Sequence, residues 1–467
     1  MRLLKKPVIF ILLLWFSTAK AQNNVKLSGF CSDSSVEEIS ILRSYKFYPI
    51  GPEEKLKTVY SKDGHFDINF NLKAPEILIF RAKYKIWKLY FQPGDSLKFD
   101  INENNGVPEL TFTGKTASRY NLFTLVSNAT LSAPKLFQFK ELKEYTDTLS
   151  KWKAHQHNFI KAYGSKNPLD PQTMLFAQNA INFRYVSLIY FLLQDLSEDT
   201  IPKDYLLEAD RYKLNQDKLL ILSEYRFALY QKFIARFNNK SSQNIEKVFE
   251  NIMKNLQGQS RNFANANLIG EYVLKQSSKD EAVLKKALNF AYSMKPDSIY
   301  LSYLKENEER YFVLNRPLPD EILDHTFLTP LQANKKSTLR EILSKYQNKG
   351  IYIDLWASWC APCRKDIANS KTAKKILKDE DFVYLYFSTD KDATVWKNAS
   401  IMDNIEENQF IFDHTSTSGF NKLLNLQEIP RYLLLDKNHH VKTLYAPRPD
   451  ESSVEELRSK LNATPQK

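Results

Sequence analysis

Gly350-Ile351-Tyr352-Ile353-Asp354-Leu355-Trp356-Ala357-Ser358-Trp359-Cys360-Ala361-Pro362-Cys363 is the stretch that decides how this chain is read. The apolar run 350–356 predicts a strand, and it empties directly into Cys-x-x-Cys at the start of a helix. Residues three apart lie on one helical face, so the two sulfurs can meet in a small disulfide ring. Cys360 falls at the helix N-terminus, where unpaired backbone N–H groups and the helix dipole favour a thiolate.

Half of a zinc site has the same spacing. A structural zinc centre needs four ligands, however, and the only other cysteine, Cys31, lies more than 300 residues upstream. His414, His439 and His440 show no partner at finger-like spacing, and His155 and His157 would point to different faces of a helix. No metal site is expected. A structural disulfide is the second alternative, and the flanking Trp359 and Pro362 argue against an arbitrary staple.

Together, Trp359-Cys360-Ala361-Pro362-Cys363 and the preceding strand resemble the active-site turn of thioredoxin-fold proteins, most closely the TlpA/ResA-like extracytoplasmic oxidoreductases. The resemblance covers roughly the last 150 residues and implies further roles. Asp354, six residues before Cys360, corresponds to a buried carboxylate that relays a proton to or from the second cysteine. Asp366, three residues after Cys363, matches an acidic position that tunes the pair; a solvated first-turn carboxylate is the alternative. Pro430 stands where such proteins carry a cis-proline that opens a strand. Ile429–Pro430 would then be cis, and the Ile429 backbone would pair with an extended substrate segment. Trp359 and Pro362 would complete the substrate surface. No cofactor is implied beyond the redox-active disulfide Cys360–Cys363.

Two glycines of the family pattern are missing. Leu424-Asn425-Leu426 stands a few residues before the proline, and Asp436-Lys437-Asn438-His439-His440 stands where a glycine turn usually precedes the last strand. Asn438 is the expected left-handed substitute, because Asn tolerates that geometry.

The chain opens with Met1-Arg2-Leu3-Leu4-Lys5-Lys6, an apolar stretch from Val8 to Phe16, and Ala19-Lys20-Ala21. That order reads as a secretory signal over 1–21, cut after Ala21. Neither this stretch nor the apolar run 185–193 is long enough to span a bilayer comfortably. The mature chain is therefore expected in the periplasm or cell envelope, without a transmembrane segment. Loss of Arg2, Lys5, Lys6 and Lys20 with the signal lowers the net charge from +12 to +8. A moderate basic balance over so long a chain, with export, argues against nucleic acid as a partner. Three cysteines in an exported chain of 467 residues mean that disulfides do not hold the fold. Cys31 lies in the alternating run 25–31 and reads as a buried, inert thiol.

Length predicts several domains. From 22 to 115, short alternating runs such as 64–70, 77–80 and 89–91 sit between turn signals and predict an antiparallel β sandwich or barrel. With its Gln92-Pro93-Gly94-Asp95 turn, the segment resembles the β domain that precedes thioredoxin-like domains in some Gram-negative envelope proteins. From 116 to 316 the period turns helical, with helices expected at 136–163, from Asp170-Pro171, and at 217–237, 241–256, 261–276 and 280–294. The aromatics of this region, Phe183, Tyr185 and Tyr225 among them, read as bundle core. From 317 to 467 strands and helices alternate, close with an antiparallel pair and a terminal helix, and include an extra strand at 409–413 that corresponds to the TlpA-like insertion. The fold class is thus multidomain: a sandwich-like β domain, an all-α middle and an α/β thioredoxin fold.

The expected activity is thiol–disulfide exchange with exported thiol or disulfide proteins. The resemblance implies the reducing direction, with apocytochrome c among the substrates and an upstream thiol protein as electron donor. A peroxiredoxin-like peroxidase is a rival, but Trp356-Ala357-Ser358-Trp359 lacks the Pro and Thr/Ser that would hold peroxide. An envelope scaffold with a secondary redox pair is a rival of another class.

Overall fold

The computed structural model describes residues 24–44, 54–83, 85–104, 107–135, 141–191, 205–235, 245–275, 281–333, 335–376, 382–413, 418–424, 426 and 428–462. The signal read at 1–21, His414 and Asn425 lie outside the described residues. The described chain falls into two compact units: residues up to 44 with 54–133 and 154–178, and residues 134–135 and 141–153 with those from 179 onward. The α-helical middle is shared between them.

In the first unit, β1 (Val25–Cys31), β2 (Glu38–Arg43), β3 (Glu54–Tyr60), β4 (His65–Phe70), β5 (Glu76–Ala82), β6 (Lys85–Phe91), β7 (Ser96–Asn104) and β8 (Val107–Thr113) form two four-stranded sheets, ordered β4-β1-β7-β8 and β3-β2-β5-β6. Alternation puts aromatics on the inner faces, where Phe80 meets Phe99 at 5.3 Å and Phe70 meets Phe91 at 5.6 Å between ring centroids. The expected wholly antiparallel pairing does not hold: β1 pairs antiparallel with β4 but parallel with β7. Alternation sets which residues face inward and is the same for either direction, so it could not reveal this. Asp63 and Gly64, both at positive φ, make the tight turn into β4. Asp95 of the Pro93-Gly94-Asp95 turn accepts from the Gln92 N–H at 2.6 Å and the Tyr120 hydroxyl at 2.6 Å. Its ion pair with Arg119 completes a buried anchor for α1 (Ala117–Leu131). Cys31 is a buried free thiol, and burial pushes its pKa up.

The boundary between the units runs through α2 (Leu142–Lys166) and α3 (Pro171–Phe191). Asp170 caps α3 by accepting from the Thr173 N–H at 2.8 Å. The helix expected at 217–237 is broken. A 3₁₀ turn, Asp217–Ile221, ends at extended Leu222; α4 (Ser223–Tyr230) follows and passes into a π turn, Gln231–Ala235. Next come α5 (Ile245–Asn255), α6 (Gly258–Lys275), α7 (Glu281–Ser293) and α8 (Ser298–Phe312), with Phe183, Tyr185 and Tyr225 buried as core.

Beyond α9 (Asp320–His325) the chain builds one mixed sheet from β9 (Phe327–Pro330), β10 (Ser337–Thr338), β11 (Gly350–Trp356), β12 (Phe382–Ser388), β13 (Gln409–Phe412), β14 (Arg431–Leu435) and β15 (Val441–Thr443), ordered β10-β9-β13-β12-β11-β14-β15. Its helices are α10 (Leu339–Leu343), α11 (Ala361–Ile376), α12 (Ala393–Met402), α13 (Ser418–Leu424) and α14 (Val454–Asn462). β9 and β10 were not expected; they are too short to show periodicity. β11 is buried along its whole length, between parallel β12 and antiparallel β14. Ile351, Ile353 and Leu355 enter the core on one face, while Tyr352 and Trp356 enter the core on the other, together with both active-site cysteines. Burial of each such aliphatic side chain contributes about 1.5–3 kcal/mol. No helix among the described residues is long and apolar enough to cross a membrane.

Candidate active site

Trp356 ends the central strand, and the chain leaves the sheet through Ala357-Ser358-Trp359. Asp390, just past β12, holds that loop. It accepts from the Ser358 N–H at 2.8 Å, the Ser358 hydroxyl at 2.7 Å and the Ser388 hydroxyl at 2.8 Å. The Thr389 N–H donates to the Trp356 carbonyl at 2.8 Å. Two strand ends are thus tied together under the cysteines.

Cys360 and Cys363 are joined by a disulfide at the N-terminus of α11. The Cys363 N–H points at Cys360 Sγ, 3.2 Å away, one of the orphan donors a helix start offers to a developing thiolate. In this oxidised state Cys360 is only 3% exposed. Its neighbour Trp359 is 71% exposed.

Below the pair, the β register sets Asp354 directly between Tyr386 of β12 and Tyr432 of β14. Asp354 is buried, and its Oδ1 finds no hydrogen-bond partner among the described residues. Burial is the main cause that raises its pKa to about 8; Lys374 opposes the rise and Asp366 adds to it. Near neutral pH Asp354 is therefore mostly protonated, with an ionised minority able to take a proton. Helix α11 lays one charged group over each flanking tyrosine. Asp366 accepts from the Tyr432 hydroxyl at 2.8 Å and pairs with Arg448 at 3.0 Å. Lys374 Nζ meets the Tyr386 hydroxyl and stands over the Tyr384 and Tyr386 rings at 4.9 and 4.6 Å. Burial draws the Lys374 pKa down to about 8, against the pull of Asp354.

The Ile429–Pro430 peptide is cis. Arg431 pairs with Leu355, so Pro430 enters β14 beside the end of β11, where the cysteine loop departs. Ile429 packs against the core cluster that contains Cys360 and Cys363. Cys360, Cys363, Asp354, Asp366, Trp359, Pro362, Ile429 and Pro430 all lie at this one end and face of the sheet. The left-handed residue of the 436–440 turn is His439, not Asn438: Asn438 N–H instead donates to Asp436 Oδ1 at 2.9 Å. No group of three or more His, Cys, Asp or Glu converges among the described residues as a metal centre would require.

Asp390, Tyr432, Tyr386 and Lys374 escaped the reading of the sequence. A signal existed for Lys374. It continues the stripe Cys363, Ile367, Ser370 at helical spacing, so a lysine sits on the buried face of α11. Asp390 and the tyrosines are brought in by strands far along the chain and left no local pattern.

Residues 330–461 match the family described as Redoxin. They are a redoxin domain. With its Cys-x-x-Cys disulfide at a helix start, the redoxin domain is a thioredoxin-like thiol–disulfide oxidoreductase. Solved structures similar to this chain include a protein from Bacteroides vulgatus, 25% identical, over 31% of this chain and 99% of that one, with a TM-score of 0.25. The thioredoxin domain of a thiol-disulfide oxidoreductase from the same organism is 19% identical over 29% and 92%, with a TM-score of 0.26. A thiol:disulfide interchange protein of the thioredoxin family from Chlorobium tepidum is 16% identical over 32% and 98%, with a TM-score of 0.26. No curated protein matches the chain.

Proposed function

We propose that this protein is exported and reduces disulfides of cell-envelope proteins through Cys360 and Cys363. The observation that carries the reading is the cysteine pair at the start of α11, with a backbone N–H on Cys360 Sγ and the proton-holding Asp354 beneath. In the reduced protein the Cys360 thiolate attacks one sulfur of a target disulfide. A Cys360–target bond forms, the target S–S bond breaks, and one target thiolate leaves. The ionised fraction of Asp354 takes the Cys363 proton, the Cys363 thiolate attacks Cys360 Sγ, and the second target sulfur leaves as a thiolate that takes this proton back, while solvent protonates the first. The target gains two electrons and two protons, and the protein ends as the disulfide. A dithiol protein of lower potential must restore it.

The charged, apolar and Ala-x-Ala segments of 1–21 support export, and the TlpA/ResA-like resemblance supports the reducing direction and apocytochrome c among the targets. Equilibration of the pair against dithiothreitol and glutathione buffers tests the direction. A reductant should lie well below about −120 mV, the value of a strong disulfide oxidant. A potential at or above that value, or a pair that does not exchange with either buffer, would refute the reading.

A further inference from the structure

Arg364 and Asp403 each stand at a helix end that disfavours their charge. Arg364 lies in the opening turn of α11, where the dipole favours anions, and Asp403 caps the end of α12, where it favours cations. The two meet: Asp403 accepts two hydrogen bonds from the Arg364 guanidinium, both at 2.8 Å. Neither charge is stabilised by its own helix, so helix stability alone would place neither residue there. What the two share is the cysteine pair. Arg364 directly follows Cys363, and its N–H donates to the Cys360 carbonyl at 3.1 Å, which sets it one helical turn from Cys360 on the same face. The Asp403 N–H donates to the Ala399 carbonyl at 3.0 Å. Ala399 and Ile405, on either side of Asp403 along the chain, belong to the core cluster that contains Cys360 and Cys363.

An ion pair one turn from a redox cysteine has an electrostatic consequence. A lone guanidinium there favours the Cys360 thiolate, and with it the reduced form over the disulfide. A guanidinium matched by a carboxylate loses most of that effect. We propose that Asp403 withholds the Arg364 charge from the Cys360 thiolate and so keeps the cysteine pair a reductant. The proposal rests on Cys360 exchanging disulfides in the reducing direction. Arg364 and Asp403 are positioning residues, acting on the reaction only through the charge they leave beside Cys360. The intact pair is neutral; Asp403→Asn leaves one positive charge, and Arg364→Gln leaves one negative charge. The other ionisable groups about the cysteines are Asp354 on β11, Asp390 beyond β12, Lys365, Asp366 and Lys374 on α11, and Tyr432 and Arg448. These are common to all the variants, so a difference between variants belongs to the pair.

The test uses the full-length protein, reduced with dithiothreitol and freed of it. Alkylation of Cys360 by iodoacetamide, read by mass spectrometry as pH is varied, gives the midpoint at which its thiol ionises. Asp403→Asn should move that midpoint down and Arg364→Gln should move it up, each by about threefold in the ionisation equilibrium, the scale of a part-exposed pair. Arg364→Gln/Asp403→Asn restores neutrality and should return the midpoint to the wild-type value. Arg364→Lys keeps the charge and should stay near the wild type, even where a thermal melt shows packing lost. Equilibration with glutathione at about pH 8.5, where Cys360 is ionised, reads the potential. There two glutathione thiols are oxidised to one disulfide as the Cys360–Cys363 bond is reduced, and Asp403→Asn should shift this equilibrium about threefold toward the dithiol. A pair that only holds two helices together would move both single variants in one direction and leave the double variant no nearer the wild type. That pattern, an Arg364→Lys shift as large as that of Arg364→Gln, or midpoints that do not move while glutathione still exchanges, overturns the tuning alone. A wild type that does not exchange with glutathione overturns the exchange reading and the tuning with it.

Discussion

Tyr432 donates its hydroxyl to Asp366 Oδ2 at 2.8 Å while its backbone pairs with Asp354 on the central strand. One tyrosine thereby stands between a carboxylate buried in the sheet and a second carboxylate on the active-site helix. Both ionisable groups report on the Tyr432 phenol, whose own pKa is driven far up, first by burial and then by the charge of Asp354. The cysteine pair sits above a proton-holding layer rather than above an inert core.

The first prediction is a stability effect with a defined pH window. Asp354 has a folded pKa near 8, above the ordinary value of 3.8. An acid whose pKa is raised by folding is harmless below its unfolded pKa and costs stability as pH rises toward the folded value. Asp354→Asn should raise stability at pH 7–8 by on the order of a few kcal/mol. Denaturant melts at pH 3.5 and pH 7.5 check this: the gain should be present at the higher pH and nearly absent at the lower. An equal gain at both would mean that Asp354 titrates normally.

The same substitution should slow exchange. With no group to accept the Cys363 proton, turnover should fall on the order of 10²-fold. Single-turnover kinetics should place the loss in the second step, release from the mixed disulfide, with the first attack by Cys360 little changed.

Lys374 faces Asp354 from α11, among Tyr384, Tyr386 and Lys371, with Asp366 and Tyr432 on the far side. It favours the ionised carboxylate. Lys374→Met should therefore hold the Asp354 proton about tenfold more tightly and move the acidic limb of the pH–rate profile, where Asp354 must ionise to take the Cys363 proton, to higher pH. Lys374→Arg should restore the wild-type limb. ¹³C NMR of the Asp354 carboxyl reads the titration directly, and an unmoved midpoint would remove Lys374 from this role.

Cysteine roles separate by trapping. Cys363→Ser should accumulate a mixed disulfide on Cys360 when offered a disulfide-bonded protein, because the resolving thiol is gone. Cys360→Ser should trap little, since Cys363 is fully buried. Non-reducing gels with mass spectrometry of the adduct check both, and adducts on Cys363 alone would reverse the assignment.

Asp390→Ala tests the loop. Two serines would each lose a buried partner, at about 1–3 kcal/mol for each group left unsatisfied. Thermal stability should fall, and hydrogen exchange at Ser358 N–H should accelerate. Protection unchanged at Ser358 would mean that the loop is held by other contacts.

How much was legible beforehand follows the range of each interaction. Residues 350–363 by themselves determined that a buried strand delivers two cysteines to a helix start, because strand alternation and the three-residue helical spacing act within a few residues. Alternation in 24–114 likewise determined a sandwich of short strands, and the family pattern placed Pro430 at a strand entry. Tertiary structure decided the rest. The parallel β1–β7 pair, the two short strands β9 and β10, the tyrosines on either side of Asp354 and the Arg364–Asp403 clasp depend on pairing between segments up to 84 residues apart. A strand's own pattern states which of its residues point inward. It does not state which strand lies beside it or in what register, and that choice, made by the packed sheet, gave Asp354 its neighbours and its proton.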